Sequence, residues 1–410
     1  MKISVVTGEY PPCIFGGRGI HVEAMCRELV KLAELEVIFI GEASDLIEAS
    51  YDQKRDRLPL EQIPGIPVYN FTPPQDPSGS EKQLSILREL SGSVNCIEAL
   101  KSADIISSHG LGHNLSGTVA QAIFRAKHVP TLHGIDRELM WETERRGGEH
   151  IAKLLFEELA IMKAAAIISV SQSLKSNILK WYSVDPNKIA VIPNGIDHER
   201  YWPDKSTDLL PEVDFDWSSP FLLFVGRSTP QKGLLHLLKA MQLLSITIPL
   251  VIRAGTPETP KLNAQIMSEV ADLRSQGREI IWLESGLGPG PMRQLYSHAA
   301  ILCSPSIYEP FGMVNLEALA CGTPVVASAV GGIKEFVIHE INGLLIDNPP
   351  DGMAIDDDKE SAFRNNLAKS LMKLITNSEM TNNMGEAGRL HSMQFSWTAI
   401  ARKTIQLYQT

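Results

Sequence analysis

The chain has 410 residues, of which 44% are apolar and 21% are charged, and its formal net charge is −10. A chain of this length is too long to fold around a single hydrophobic core. We therefore predict two domains of about 200 residues each. The acidic balance, without a long basic run, argues against nucleic acid or an anionic membrane surface as the main partner.

The cysteines and the N-terminus indicate a reducing compartment. Five cysteines, an odd number without CxxC or Cys/His spacing, predict free thiols rather than a disulfide framework or a zinc site. The segment KISVVTGEY opens directly as a strand without a signal-peptide pattern, and no apolar run is long enough to span a bilayer. We therefore expect a cytoplasmic protein without an integral membrane segment, and homo-oligomers are compatible with the sequence.

Strand-like and helix-like segments alternate through the first half of the chain. Short apolar runs predict seven strands: KISVVT, LEVIFIG, IPVYNF, ADIISSH, VPTLHG, AAAIISVS and IAVIPNG. Amphipathic patterns predict helices between them, among them HVEAMCRELVKL and IAKLLFEELAIMKA.

The alternation restarts after Tyr201. Six further strands are predicted: FLLFVGR, PLVIRAG, EIIWLESG, AILCSPS, PVVASAV and NGLLID. The predicted helices are PQKGLLHLLKAMQLL, GPMRQLYSHA and MVNLEALA, and the Pro-, Asp- and Ser-rich segment DHERYWPDKSTDLLPEVDFDWSSP predicts a linker. Strands separated by helices imply parallel sheets with right-handed crossovers. The predicted fold class is α/β, with two Rossmann-like doubly wound domains, residues 1–200 and 201–390, that face an interdomain cleft.

A glycine-rich loop, GEYPPCIFGGRGIHVEAM, follows the first strand and opens a helix near Ile20. Its Gly17-x-Gly19-x-x-Val22 pattern lacks the third glycine of a dinucleotide fingerprint, and eight residues separate the strand from Gly16. Glu42 lies roughly where a ribose-binding acid would be, so an NAD-dependent oxidoreductase remains an alternative. The amides of Gly16 and Gly17 at a helix start can also bind an anion.

Two cations follow the first strand of the second half, in FVGRSTPQKG. Arg227 and Lys232 flank a turn at the carboxyl end of a strand, where one diphosphate can contact both. We predict phosphate binding without a metal; the alternative is a pair of solvated charges. Asp214-Phe-Asp216 resembles a metal-binding DxD pair, and residues 356–358 form an acidic run, but solvated turns are the favoured interpretation of both.

Two glutamates lie eight positions apart in IYEPFGMVNLEALACG. Gly312 breaks the loop, and a short helix is expected over Met313–Ala320, with Gly322 as the stop signal. Glu309 would then lie beside the helix N-terminus, and Glu317 about 6 Å further along. A sugar nucleotide has hydroxyls at both ends and phosphates between them, so each carboxylate could hold one set of hydroxyls. The alternative, two surface glutamates, is disfavoured by the apolar neighbours.

These motifs together resemble the retaining GT-B glycosyltransferases of glycosyltransferase family 4. The resemblance rests on VGR-x4-KG and on E-x7-E with FG inside, and it continues through EYPP-x3-GG-x-G-x-HV, VSxS, IPNGID and FSWTAIARKTIQLY. Within the family, AGTPETP, IYEPFGMVNLEALA and Trp141-x2-Glu144-x2-Gly147-Gly148 are most similar to the bacterial glycogen synthase and maltose-1-phosphate synthase branch.

The resemblance implies roles for individual residues. Glu309 would bind the donor hexose, Glu317 the ribose hydroxyls, and His133 would lie by the reaction centre, with His109 and His113 as alternatives. The implied donor-binding residues are Gly16, Gly17, Arg227, Lys232, Glu309, Phe311, Gly312, Met313, Val314 and Glu317. The implied catalytic residues are His133, Arg227, Lys232 and Glu309. The C-terminal helix, residues 391–410, would pack back on the first domain.

The implied activity is transfer of a hexose, glucose from ADP-glucose or UDP-glucose, to a sugar, glucan or sugar-phosphate acceptor. The resemblance implies retention of configuration, a nucleotide-sugar substrate, and neither a cofactor nor a metal. The alternatives are a transferase of the same family for another acceptor, such as a mannosyl- or sucrose-type enzyme, a GT-B-like epimerase, and a non-catalytic sugar-nucleotide sensor.

The first domain, which would bind the acceptor, departs from the branch. Arg18 stands where the branch usually has a small residue, and Glu142 where a lysine is common. We therefore expect a phosphorylated sugar to be bound by arginines of this domain. The acceptor-binding candidates are Arg18, His109, Trp141, Arg145 and Arg146.

Overall fold

The structure is a computed structural model that describes residues 1–14, 16–41, 63–71, 85–139, 148–284, 286–347 and 357–410. Its contacts divide the chain into two compact units. Unit 1 contains the described residues of Met1–Gln53, Pro59–Gly195 and Trp397–Thr410, and unit 2 contains Ile196–Ser396. The boundaries expected from the sequence were residue 200 and residue 391.

Unit 1 is built on a seven-stranded sheet in which every strand pair is parallel. Its strands are β1 Lys2–Thr7, β2 Glu34–Ile40, β3 Val68–Phe71, β4 Ile105–His109, β5 Lys127–Leu132, β6 Ile167–Ser169 and β7 Ile189–Val191, in the order β3-β2-β1-β4-β5-β6-β7. Its first helices are α1 Gly17–Leu29, α2 Ser85–Asn95, α3 Leu111–Phe124, α4 Gly148–Lys163 and α5 Gln172–Trp181. β1 and β4 are buried along almost their whole length, as expected for parallel strands covered on both faces.

Unit 2 repeats the pattern with six parallel strands in the order β10-β9-β8-β11-β12-β13. They are β8 Leu222–Val225, β9 Leu250–Arg253, β10 Ile280–Leu283, β11 Ile301–Ser304, β12 Val325–Ser328 and β13 Gly343–Ile346. The helices are α6 Leu234–Met241, α7 Pro260–Ser275, α8 Pro289–His298, α9 Met313–Ala320, α10 Asp357–Ile375 and α11 Ser378–Ser392. All the strands predicted from the sequence are present, and both units have the Rossmann-like strand order.

The last helix, α12 Trp397–Gln409, belongs to unit 1. It packs against α1, where Thr398 Oγ1 donates to Glu28 Oε2 at 3.0 Å. The hydroxyl of Tyr408, near the end of α12, reaches Ser107 on β4. The C-terminal helix therefore contacts the centre of the unit 1 sheet as well as its helical layer.

The segment predicted as a linker, residues 197–220, connects β7 to β8 without a helix or strand, but part of it packs on unit 2. The carboxylate of Asp204 is buried, accepts hydrogen bonds from Ser206, and forms an ion pair with Arg293 of α8 at 2.8 Å. Burial by itself raises the pKa of Asp204, but the hydrogen bonds from Ser206 and Arg293 outweigh it and lower the pKa to about 2. The segment is therefore part of the packed surface of unit 2.

The strand order locates the place in each unit where a ligand is expected. In doubly wound sheets, ligands bind outside the carboxyl ends of the two strands at which the strand order reverses. These strands are β1 and β4 in unit 1 and β8 and β11 in unit 2. The candidate residues lie in the loops that follow these four strands and in the loop after β5.

Candidate functional site

The loop after β8 in unit 2 is fitted closely to the loop after β11. A 3₁₀ turn, Pro230–Lys232, leads into α6 through Gly233, which has a φ of +72°. A Cβ atom on Gly233 would lie 1.9 Å from the carbonyl oxygen of Pro305, so the approach requires a glycine. The backbone of Ile307 also donates to the carbonyl of Gln231 at 2.8 Å.

This fit brings Lys232 and Glu309 together. Lys232 Nζ lies 2.5 Å from Glu309 Oε2, and the two side chains are only 17% and 9% exposed. Arg227, in the same loop as Lys232, is exposed and forms no ion pair with a residue in the described part of the chain. The site therefore combines an ion pair with a second cation directed to solvent.

The N-terminus of α9 lies beside this ion pair. Gly312 has a φ of +102°, and a Cβ atom there would lie 2.8 Å from Asn315 Nδ2 and 3.2 Å from Glu309 Cγ. Met313 and Val314 are the first residues of the helix, so their N–H groups, like those of Phe311 and Gly312, have no acceptor within it. Backbone donors and the positive end of the helix dipole thus converge near the Glu309 carboxylate.

Glu317 is buried on the same helix. Its side chain accepts a hydrogen bond from Tyr296 of α8 at 2.7 Å, and the residue is 5% exposed. Burial raises the pKa of Glu317, while the hydrogen bond from Tyr296 and the charge of Arg253 act in the opposite direction. The alternative of two surface glutamates is wrong, because Glu309 and Glu317 are both buried.

In unit 1, the glycine-rich loop surrounds a carboxylate of its own. Glu9 Oε1 lies 2.6 Å from Arg18 Nη2, and Glu9 Oε2 accepts from the backbone N–H of Gly16 at 3.1 Å. A Cβ atom on Gly19 would lie 2.7 Å from Glu9 Oε2, so a larger residue there would displace this carboxylate. α1 begins at Gly17, three residues earlier than expected, with Glu9 as the anion at its start.

Three histidines of unit 1 meet at the ends of α1, β4 and β5. The rings of His21 and His133 are 4.7 Å apart at their centroids, and His109 Nδ1 lies 3.2 Å from His133 Nε2. Burial lowers the pKa of His109 and of His133 well below the ordinary value of 6.5, and the neighbouring His21 acts in the same direction. The cluster is therefore neutral at pH 7. His113 lies apart from it, donating to the His109 carbonyl at 3.0 Å.

The same histidines are the group in the described part of the chain that could ligate a metal ion, because their ring nitrogens lie within 4.8 Å of one another. Both ring nitrogens of His109 already have hydrogen-bond partners, and His21 Nδ1 pairs with Asn194 Oδ1 at 2.8 Å. We therefore describe the group as a hydrogen-bonded cluster. Asp216, of the DxD pair, accepts hydrogen bonds from Ser218 and Ser219 in its own turn.

A buried glutamate positions the loop that carries His133. Glu157 of α4 accepts from the backbone N–H groups of Asp136 at 2.6 Å and Arg137 at 3.3 Å, and from the Tyr182 hydroxyl. Burial raises the pKa of Glu157 to about 7, against the effect of these donors. The loop after β5 is thus attached to α4 by one carboxylate.

Sequence reasoning missed several residues that the structure adds to these clusters: Glu9, His21, Ser107, Glu157, Tyr296 and Tyr408. His21 belongs to the HV motif of the glycine-rich segment and lies about one turn into α1, the helix that follows β1. Glu42, Trp141, Arg145 and Arg146 lie outside the described residues.

Comparison with known proteins identifies the family. Residues 15–200 match the family described as Glycosyltransferase Family 4, and residues 209–391 match Glycosyl transferases group 1. Alpha-maltose-1-phosphate synthase of Mycobacterium tuberculosis is 32% identical to the chain over 414 residues, which cover 100% of this chain and 99% of that protein. The chain belongs to glycosyltransferase family 4. It is therefore an enzyme, a hexosyltransferase, as the resemblance predicted.

This glycosyltransferase is also similar to proteins that are named for other reactions. D-inositol 3-phosphate glycosyltransferase of Kribbella flavida is 27% identical, over 96% of this chain and 91% of its own. Sucrose-phosphate synthase of Thermosynechococcus elongatus has a TM-score of 0.78 at 22% identity, covering 100% and 98% of the two chains. Anabaena HepE in complex with UDP-glucose has a TM-score of 0.74 at 20% identity, covering 99% and 98%. These solved structures confirm the predicted GT-B fold of the glycosyltransferase.

None of the helices in the described parts of the glycosyltransferase has the length and apolarity that crossing a bilayer requires.

Proposed function

We propose that the protein transfers glucose from a nucleoside-diphosphate glucose to a sugar phosphate, with retention of configuration and without a metal ion. Unit 2 binds the donor and unit 1 binds the acceptor. The observation that carries the proposal is the contact between Lys232 and Glu309 at the start of α9. This contact brings together, at the carboxyl ends of β8 and β11, a cation that could bind phosphate and a carboxylate that could bind sugar hydroxyls. The backbone donors at the start of α9 lie beside them.

The chemistry of the unit 2 loops supports a nucleoside-diphosphate sugar as the donor. Arg227 and Lys232 supply two positive charges at the carboxyl end of β8, where a diphosphate would otherwise need a divalent cation. Glu309 accepts hydrogen bonds from hexose hydroxyls, and the amides of residues 311–314 donate to them. Glu317, oriented by Tyr296, accepts from the ribose hydroxyls. The HepE structure, whose title names UDP-glucose, supports a nucleotide sugar as donor.

The names of the relatives support a sugar phosphate as the acceptor. Alpha-maltose-1-phosphate synthase and D-inositol 3-phosphate glycosyltransferase, both similar over nearly the whole chain, each carry a phosphorylated sugar or polyol in their names. Arg18 lies in the first turn of α1, and its side chain remains 37% exposed while it pairs with Glu9. We infer that the acceptor phosphate contacts Arg18.

The proposed reaction needs no protein nucleophile. The bond between the anomeric carbon and the diphosphate oxygen breaks, and the acceptor oxygen bonds to the same face of that carbon. Arg227, Lys232 and the dipole of α9 stabilise the charge that develops on the leaving phosphate. The departing phosphate oxygen accepts the proton of the acceptor hydroxyl, so that charge and protons balance. His133, positioned by the loop bound to Glu157, acts beside the hexose.

A donor and acceptor panel tests the proposal. ADP-, UDP- and GDP-glucose are each incubated with glucose 1-phosphate or with glycogen, in EDTA, and nucleotide release and the anomeric configuration of the product are measured. We expect release that depends on glucose 1-phosphate, persists in EDTA and yields an α-linked disaccharide phosphate. Activity with glycogen alone, a β-linked product, or activity that returns only with manganese would contradict the proposal.

A second acceptor class is included in the same panel. The similarity to D-inositol 3-phosphate glycosyltransferase over 96% of the chain favours an inositol phosphate as the next candidate. A higher kcat/KM for inositol 3-phosphate than for glucose 1-phosphate would assign the protein to that reaction.

A further inference from the structure

A continuous series of hydrogen bonds connects the C-terminal helix with His133 inside unit 1. The Tyr408 hydroxyl lies 2.8 Å from Ser107 Oγ, and Ser107 Oγ lies 3.3 Å from His109 Nε2. His109 Nδ1 in turn lies 3.2 Å from His133 Nε2. Tyr408, Ser107 and His109 are each no more than 3% exposed. Water therefore does not compete for these groups, and each donor must be paired with the neighbour that is present.

Burial determines the direction of the first hydrogen bond in the series, between Tyr408 and Ser107. A buried Tyr hydroxyl that donates to nothing loses the free energy of a hydrogen bond, and Ser107 Oγ is the acceptor beside Tyr408 in the described structure. Tyr408 therefore donates to Ser107. The buried proton of Ser107 then needs an acceptor of its own, and His109 Nε2 is the acceptor beside Ser107 Oγ in the described structure, so Ser107 donates to the ring of His109.

The direction of the remaining bonds follows from the chemistry of a neutral imidazole, which has one N–H and one lone pair. His109 accepts from Ser107 at Nε2, so its proton must be on Nδ1. That proton is donated to His133 Nε2. A nitrogen that accepts carries no proton, and the single N–H of neutral His133 is therefore on Nδ1.

We propose that Tyr408 and Ser107 are positioning residues that, through His109, keep His133 in the Nδ1–H tautomer. The Nδ1–H is then the ring hydrogen that His133 can offer to a substrate oxygen, whereas the opposite tautomer would offer a lone pair at that position. The catalytic consequence rests on the proposed function, in which His133 acts beside the hexose. The tautomer itself does not depend on it.

His21 belongs to the same cluster, but its tautomer is determined by other contacts. Asn194 Oδ1 accepts from His21 Nδ1 at 2.8 Å, and the His21 ring meets Trp397 of α12 edge-on with 5.4 Å between the centroids. Neither contact includes a proton of the series. The tautomer of His21 should therefore remain unchanged when Tyr408 is altered, which gives an internal reference in the same spectrum.

The test measures the tautomer directly by nitrogen NMR of protein labelled with ¹⁵N-histidine. The His133 signal is assigned by its loss in His133→Gln. We expect a proton on Nδ1 of His133 in the wild-type protein, and a mixture of both tautomers in Tyr408→Phe and in Ser107→Ala. The double variant should match the single variants, because both remove the same constraint. If the proposed function is correct, kcat falls in these variants while the donor KM is unchanged.

Tyr10→Phe is the matched control, because Tyr10 is also fully buried in unit 1 but its hydroxyl takes no part in the hydrogen bonds of this series. It should leave the His133 tautomer as in the wild type. A proton on Nε2 of wild-type His133, or an unchanged tautomer in both Tyr408→Phe and Ser107→Ala, would overturn the proposal. A changed tautomer with unchanged kcat would leave the hydrogen-bond series intact and count against the role of His133 in the proposed function.

Discussion

Lys232 and Glu309 are 77 positions apart in the sequence, yet Lys232 Nζ lies 2.5 Å from Glu309 Oε2. The loops that carry them follow β8 and β11, the neighbouring strands at which the order of the unit 2 sheet reverses. The parallel sheet itself therefore brings the two motifs together. Each residue orients the other before a ligand is bound, which lowers the ordering cost of binding.

Replacing the cations of unit 2 should remove most of the activity. In Lys232→Ala the leaving phosphate loses a partly buried positive charge, and we expect kcat to fall about 10²- to 10³-fold with the fold intact. Arg227→Ala should also reduce kcat. Initial rates with saturating donor, and melting temperatures, measure the two effects separately.

Lys239→Ala is the control for this prediction. Lys239 lies on α6 of the same unit and forms a 3.9 Å ion pair with Glu269, away from α9. Its replacement should leave kcat unchanged. Near-normal rates in both Lys232→Ala and Arg227→Ala would exclude the phosphate-binding role.

The hydrogen bond between Tyr296 and Glu317 should control donor affinity. Tyr296→Phe removes the donor that orients the buried carboxylate, and a hydrogen bond to such a group is worth about 1.5 kcal/mol, or about tenfold in the donor KM. Tyr201→Phe is a matched variant, since Tyr201 lies 6.3 Å from Tyr296 between ring centroids and does not donate to Glu317. Equal donor KM values in the two variants would refute this role.

Arg18 should affect the acceptor rather than the donor. In Arg18→Ala we expect the KM for glucose 1-phosphate to rise about tenfold, because a charge-assisted hydrogen bond to phosphate is lost, while the donor KM stays constant. Arg27→Ala on the same helix is closely matched: both arginines are 37% exposed and both pair with a buried glutamate. The assignment fails if Arg18→Ala leaves the acceptor KM unchanged, or if Arg27→Ala raises it equally.

Glu157 should make the stability of unit 1 depend on pH. Burial raises its pKa from 4.5 to about 7, so its contribution to stability is fully present below pH 4.5 and is lost as the pH rises through about 7. The free energy of unfolding of the wild type should therefore fall relative to that of Glu157→Gln by about 2.5 kcal/mol between pH 5 and pH 8. The melting temperatures of the two proteins across this range measure the effect.

Glu158→Gln provides the comparison, because the neighbouring Glu158 is exposed. Its melting temperature should follow the wild type across the same pH range. A constant difference between the wild type and Glu157→Gln would show that the carboxyl group does not titrate in this window.

The elements of the fold were accessible from the sequence because their signals are local. Buried parallel strands appear as short apolar runs, and all thirteen strands were predicted in this way. The helix α9 was predicted with its observed bounds, Met313–Ala320, because Gly312 precedes its first residue and Gly322 follows its end. Composition predicted the irregular segment between β7 and β8, but it does not reveal that Asp204 in this segment forms an ion pair with Arg293, 89 positions away.

The amino-acid sequence by itself determined the two parallel sheets and the two motifs of unit 2, since apolar periodicity and glycine positions act within a few residues. Only the tertiary structure decided that Glu9 pairs with Arg18, that Glu157 binds the His133 loop, and that Tyr408 reaches Ser107 across 301 positions. The physical reason is that a side-chain hydrogen bond depends on distance and direction to within a fraction of an ångström. Those quantities exist only after the sheets and helices have packed.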